Sequence, residues 1–226
     1  MPGPLGSLGE DVGIEEAGLA RRAPEKKPEA PRSRSEKRRE KAQQANRDGV
    51  AVASAASGLV GKGKLVVNGK TYRYDCSGLV SAAYARTGRE LGGSSEDLYE
   101  LAKDEGVLHR KKLPQPGDVA FFDDTWDRNG NHRRDDDLTH VAIVEKVEPD
   151  GTIILIHKGS KGVVRIRMNL SDPSVERTAQ GVVLNDGLRS GKADGGPRLT
   201  GELWRAFGSF WELPPEPQKQ GGVAER

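Results

Sequence analysis

The pattern of apolar and polar positions changes character twice along the chain. Up to about residue 36 it has no period at all. That segment is rich in Pro, Glu, Arg, Ser and Gly and reads as disordered. "RSRSEKRREKAQQANRDG" then adds helix formers, and from Ala42 the texture becomes Ala-rich. "AQQANRDGVAVASAASGLVGKG" reads as a helix packing closely on a neighbour, ended by Gly61 and Gly63. "KLVVNGKTYRY" predicts a hairpin turning at Asn68-Gly69. In "DCSGLVSAAYARTG", Leu79, Val80, Ala83 and Tyr84 fall at helical spacing, with Asp75 at the N-cap position and Gly88 as the stop. "SSEDLYELAKDEG" predicts a second short helix, capped by Ser94 or Ser95 and ended by Gly106.

After "LPQPGD" the period changes from helical to alternating or continuous β. "DVAFF", "THVAIVEKV", "TIILIH" and "VVRIRMNL" read as strands separated by "EPDG" and "KGSKG" turns. A polar, loop-rich stretch follows. "ELWRAFGSFWEL" then places Leu203, Trp204, Phe207, Phe210 and Trp211 on one helical stripe, which predicts a C-terminal helix docked on the core. Helices followed by an antiparallel run of strands give an α+β fold, with N-terminal helices packed on an antiparallel sheet. The expected division is a disordered basic segment over 1–41, one domain over 42–213, and a disordered tail over 214–226.

Composition supports part of this division. Only 34% of residues are hydrophobic and 31% are charged, so part of the chain is expected not to pack. Net charge is +2, but Arg21 to Arg47 holds eleven Lys or Arg against four Glu. Such a basic arm suits an anionic polymer or nucleic acid, although no aromatics are interleaved to stack on bases. Its blander role is a solvated linker. No apolar run approaches the roughly 20 residues needed to span a bilayer. The N-terminus lacks the order of a secretory signal, and "GPLGS" matches a common remnant of cleaved expression tags.

One cysteine excludes an intrachain disulfide and an all-cysteine metal site. Cys76 stands in the first turn of a predicted helix. There the positive end of the helix dipole and unpaired N–H groups favour thiolate, the nucleophilic form. A nucleophilic cysteine needs a base, and the base a group to orient it. His109 and His132 lie in charged segments expected to be exposed loops. His140 opens one predicted strand and His157 closes the next, so a hairpin would bring them together at one end of the sheet. His140, Ala142 and Val144 share a face, opposite Val141 and Ile143. If that face turns toward the helix, His140 can reach Cys76.

"DCSGLV", "PGDVAFF" and "THVAIV", followed by a histidine on the next strand, resemble the NlpC family of bacterial cell-wall cysteine peptidases over roughly residues 45–170. "HVAIVEKVEPDGTI" also resembles the neighbouring CHAP family of amidase/peptidases. The resemblance implies a papain-like α+β domain that hydrolyses amide bonds in peptidoglycan stem peptides through a thioester. It assigns Cys76 as nucleophile, His140 as general base and His157 as its orienter. Asp75 and Ser77 support the site. It implies no cofactor and a location in the cell envelope, periplasmic or secreted. Two features depart from the pattern. Ala142 stands where the family favours Gly, and the upstream tyrosine motif is absent, with Tyr72 or Tyr74 as substitutes. This loss motivates the alternative of a cell-wall-binding module with impaired catalysis.

Residues 123–138 form an insertion between strands. Asp127, Asn129, Asn131 and Asp135 in "DRNGNHRRD" match the first, third, fifth and ninth positions of a calcium loop. Against this, His132 stands where the loop needs Gly, Leu138 where it needs its last acid, and Arg133 and Arg134 oppose a cation.

Overall fold

The computed structural model describes residues 34–189 and 196–215. The expectations for residues 1–33, including most of the basic arm, and for 216–226 lie outside the described residues. The elements, in chain order, begin with α1 (Arg34–Ser57), β1 (Leu65–Val67), β2 (Lys70–Tyr72), α2 (Cys76–Ala85) and α3 (Ser95–Asp104). They continue with β3 (Leu108–His109), β4 (Val119–Phe122), β5 (His140–Val147), β6 (Ile153–Gly159) and β7 (Gly162–Met168). A single turn, α4 (Thr200–Leu203), then leads into β8 (Trp204–Gly208) and a closing 3₁₀ turn, Phe210–Glu212. Helix α1 starts at Arg34, inside the segment expected to be disordered, because Glu, Lys, Arg, Ala and Gln there are all good helix formers.

The local signals explain the N-terminal half. Asn68 and Gly69 take left-handed φ values of 51° and 76° and turn the β1–β2 hairpin. Ser94, not Ser95, caps α3 through a reciprocal pair with Asp97. Six strands form one antiparallel sheet in the order β3-β8-β4-β5-β6-β7. The helices cover one face. Val52, Ala56, Leu79, Val80, Ala83 and Tyr84 pack there on Val119, Phe121, Val141 and Ile143. Ala120, Phe122, Ala142, Val144, Leu155, Met168 and Phe207 form a second core on the other face. The small residues of α1 and α2 permit close approach, and an ion pair of 2.6 Å joins half-buried Asp48 of α1 to buried Arg89 in the segment after α2. Arg89 also donates to the carbonyls of Trp211 and Leu213, fastening the C-terminal end to the helices.

The C-terminal docking helix is not formed. The middle of "ELWRAFGSFWEL", Trp204–Gly208, instead builds β8, inserted between β3 and β4. The reason lies in the partition of its aromatics. Phe207 belongs to the core on the sheet face away from α2, while Phe210 and Trp211 belong to the helix-covered core. A single helical stripe would have put all of them on one side. Gly208 is also disfavoured in a helix interior, and a Cβ there would press to 3.1 Å on both Ala102 and Phe210.

Candidate active site

Cys76 is the first residue of α2. Asp75 caps the helix, its Oδ1 accepting from the Gly78 N–H at 2.7 Å. Gly78 must be glycine, because a Cβ would fall 2.0 Å from the Arg73 carbonyl oxygen. Ser77 is buried and donates to Asp75 Oδ1 (3.2 Å). Arg73 braces the turn from outside, donating to Ser77 Oγ (2.8 Å) and to the Gly93 carbonyl (2.7 Å) while lying 3.3 Å from Asp75 Oδ2. The motif "DCSG" is thus a locally closed cap that holds the thiol at a fixed helix start.

The opposite wall is a place where the sheet opens. Strand β5 starts at His140 and β6 runs to Gly159, yet their pairing stops at Ile143↔Ile156. The first residues of β5 and the last of β6 are therefore not paired with each other. Across this gap His140 Nε2 and His157 Nδ1 lie 2.9 Å from each other, with the rings nearly perpendicular. Val141, beside His140, turns its backbone N–H to the Cys76 sulfur. The peptide unit that joins His140 to Val141 therefore lies beside the thiol.

Five competing influences set the thiol. Burial pushes its pKa up and is the largest. The Val141 N–H pulls it down, the Asp75 charge pushes it up, and the amides of Ser77 and Cys76 itself pull it down. Burial wins, so the resting group is a thiol despite its helix-start position. Burial also pushes His140 down to about 3, aided by His157 and the Lys158 ammonium. His157 goes down to about 4 by burial and Lys158, against the raising influence of Asp186. Both imidazoles are neutral at neutral pH.

The face left open by the alternation of β5 is decided by the packing. His140 lies in register with Phe122, 6.3 Å between ring centroids, and continues the row of Ala142 and Val144. That row packs on the sheet face away from α2, because Val141 and Ile143 fill the helix-covered side. The structure joins His140 to His157 and brings Cys76 to the backbone beside His140. Among the described residues no hydrogen bond links the sulfur to either imidazole.

A cleft of about 620 Å³ opens beside the imidazoles, lined by both histidines, Trp126, Lys158, Lys161 and Asp186 among others. Lys158 extends beyond it, its Nζ 4.6 Å from the centre of the Tyr74 ring. Tyr74 is two residues before Cys76 and is tethered by its hydroxyl to the Lys62 carbonyl (2.6 Å). Nothing in the sequence pattern of "IHKG" flags Lys158; its importance comes from where the β5–β6 pairing ends. Gly159 was missed for the same reason. A Cβ there would lie 2.7 Å from His157 Cε1, so the absent side chain leaves room for the ring.

The remaining histidines divide. His132 is exposed on the insertion. His109 does not lie in an exposed loop as expected: it sits in β3 and bonds to the fully buried Asp118. In the insertion, the Asp127 carboxylate accepts from the N–H groups of Gly130 and His132. The side-chain amides of Asn129 and Asn131 donate to Asp135. His132 takes a left-handed φ of 60° at the position where a calcium loop has glycine. Among the described residues no group of three or more His, Cys, Asp or Glu side chains is placed to hold a metal ion. No helix among them is long and apolar enough to cross a membrane.

Residues 67–159 match the CHAP domain model, a segment that contains Cys76, His140 and His157 and spans less than half of the chain. The match is to CHAP and does not extend to the NlpC form of the resemblance. It implies cell-wall amidase or peptidase activity in general, of hydrolase type, with peptidoglycan as the polymer, and suggests a protein that acts on the cell wall outside the cell. No curated protein and no solved structure matches the chain.

Proposed function

From a CHAP-matching segment that carries all three residues, we propose that the protein is a cysteine peptidase or amidase cleaving amide bonds in peptidoglycan stem peptides. Cys76 is the nucleophile, His140 the general base and His157 the residue that orients it. The observation that carries this reading is the 2.9 Å contact between His140 Nε2 and His157 Nδ1, in a gap whose wall also meets the thiol. With Nε2–H of His140 donating to His157, Nδ1 of His140 is an acceptor, the atom a base needs.

The chemistry starts from neutral partners. His140 takes the Cys76 proton as sulfur attacks the amide carbonyl, so the buried thiolate exists only as it forms a bond to carbon. The oxyanion meets the N–H groups at the start of α2. The C–N bond breaks as imidazolium returns the proton to the leaving amine. Water, deprotonated by His140, then cleaves the thioester and regenerates the thiol. The imidazole–sulfur hydrogen bond, absent in the free protein, forms in the complex with substrate; such bonds often tighten only there. Asp75 and Ser77 hold the helix start.

The test is incubation with defined muropeptides and mass analysis of the fragments. Cleavage of one stem-peptide amide by the native chain, and none by Cys76→Ala, is expected. Equal cleavage by both rejects the assignment. The raised thiol pKa and the missing thiol–imidazole bond favour a second reading, a wall-binding module without catalysis. Muropeptide binding with no product formed would establish that reading instead.

A further inference from the structure

The cleft beside the two histidines is electrostatically lopsided. Its one carboxylate, Asp186, is committed to β7, accepting from the Arg167 N–H at 2.7 Å with the Arg167 guanidinium 3.9 Å away. Arg165, also at its edge, is neutralised by two hydrogen bonds to Glu145 (2.6 and 2.7 Å). Lys158 and Lys161 remain, and neither forms an ion pair among the described residues. Lys161 is exposed. Lys158 is half-buried, and its ammonium has a single hydrogen bond, to the Gly159 carbonyl at 2.9 Å.

The position of Lys158 is the informative part. It follows His157 on a strand whose side chains alternate, so it faces the side of the sheet that carries α2. Its ammonium rests over Tyr74, on the chain segment leading into Cys76. An ammonium has three donors, and only one is used on protein. A half-buried cation with spare donors, next to His157 on β6 and resting over the tyrosine two residues before Cys76, is a receptor for an anion.

The geometry points to Lys158 as a specificity residue that binds a carboxylate of the substrate next to the scissile amide, so that the protein selects peptides whose carboxyl group at that position is free rather than amidated. This rests on the hydrolase reading for its substrate but not for its charge. A carboxylate is the fitting partner because it matches a point charge with several donors and gains most where water is partly excluded. A neutral carboxamide offers one carbonyl acceptor but no charge to match the ammonium.

Two measurements decide it. The first needs no substrate: the rates of Cys76 alkylation by anionic iodoacetate and neutral iodoacetamide, in the native chain, Lys158→Met and Lys158→Arg, at low salt. The acetate-to-acetamide ratio should fall about fivefold or more in Lys158→Met and stay near native in Lys158→Arg, as the field of one close cation predicts. The second is kcat/KM for paired stem peptides that differ only in a free or amidated carboxyl beside the scissile bond. A preference of about tenfold or more for the acid, falling toward unity in Lys158→Met, is expected. An alkylation ratio unchanged by Lys158→Met overturns the proposal. If no peptide is cleaved, the hydrolase reading fails, and the alkylation ratio alone decides the carboxylate site.

Discussion

Histidines in this molecule enter two polar networks, and the outcomes differ. His109 Nε2 lies 3.2 Å from Asp118, a residue with no exposure. Asp118 also accepts from the Gln115 N–H (2.8 Å), Ser209 Oγ (2.7 Å) and Trp211 Nε1 (2.8 Å). Every donor around this carboxylate is spent on it, and the result ties β3, β4 and the C-terminal turn together. The His140–His157 pair has one mutual hydrogen bond and an open cleft alongside; among the described residues neither ring bonds to a carboxylate, and Asp186 acts on His157 only through its charge. A saturated network resists change; an unsaturated one retains an acceptor with which to move a proton. The difference teaches that burial of a histidine is not itself a sign of chemistry. The free valence of the network is.

The sharpest break between the two regions is functional. Cys76→Ala should lower amide cleavage by about 10³-fold or more, the loss expected of a nucleophile. His140→Ala should cost about 10²–10⁴-fold in kcat, the usual contribution of a positioned acid–base group. His109→Ala should change kcat less than about threefold, read in the same muropeptide assay. A loss at His109 comparable to that at His140 would dissolve the distinction.

Stability should show the reverse. Asp118→Ala leaves the buried Ser209 hydroxyl and Trp211 N–H without their acceptor. At roughly 1–3 kcal/mol for each orphaned donor, denaturant unfolding should register a loss of about 3 kcal/mol or more. His157→Asn should move stability less while lowering kcat. Gly159→Ala belongs with His157. The added methyl must displace the imidazole, so kcat should fall about tenfold with little change in KM, because the orienting hydrogen bond is lost and not substrate binding. A native kcat in Gly159→Ala would show that the ring position is not critical.

The smallest expected effect is on the pH dependence of stability. His140 and His157 have folded pKa values of about 3 and about 4, below the ordinary value near 6.5. The unfolded chain therefore binds more protons between these limits. The stability these groups contribute is complete above about pH 6.5 and is lost as pH falls toward 4 and 3. Thermal unfolding from pH 7 to 4 should show this decline, and His140→Ala/His157→Ala should flatten it. An unaltered slope would mean that the imidazoles titrate normally.

Much of this was legible in the residues. Asp75 before Cys76, Ser94 before α3 and Asn68-Gly69 are short-range signals, and each operates where its local chemistry predicts. The hairpin reading brought His140 to His157 because strand pairing is a simple consequence of a short turn. What failed depended on long-range context. Phe207 and Phe210 have helical spacing, but the tertiary structure distributes them to opposite faces of a sheet whose strand order no local pattern encodes. The face of His140 stayed open for a related reason. Alternation is readable, but which side receives the helices is not. The helix start at Cys76 is local and visible, whereas the burial that outweighs it depends on packing. Lys158 could not be found before the end of the β5–β6 pairing was known.

The central claim is that Cys76 forms a thioester with the help of the imidazole pair. Its most direct test is rapid-quench intact-mass analysis of the protein during turnover of a defined stem peptide. The account predicts a transient mass gain equal to the acyl fragment, mapped to Cys76, absent in Cys76→Ala and slowed in His140→Ala. Product release at the native rate by Cys76→Ala, or an adduct that forms equally fast without His140, would contradict it.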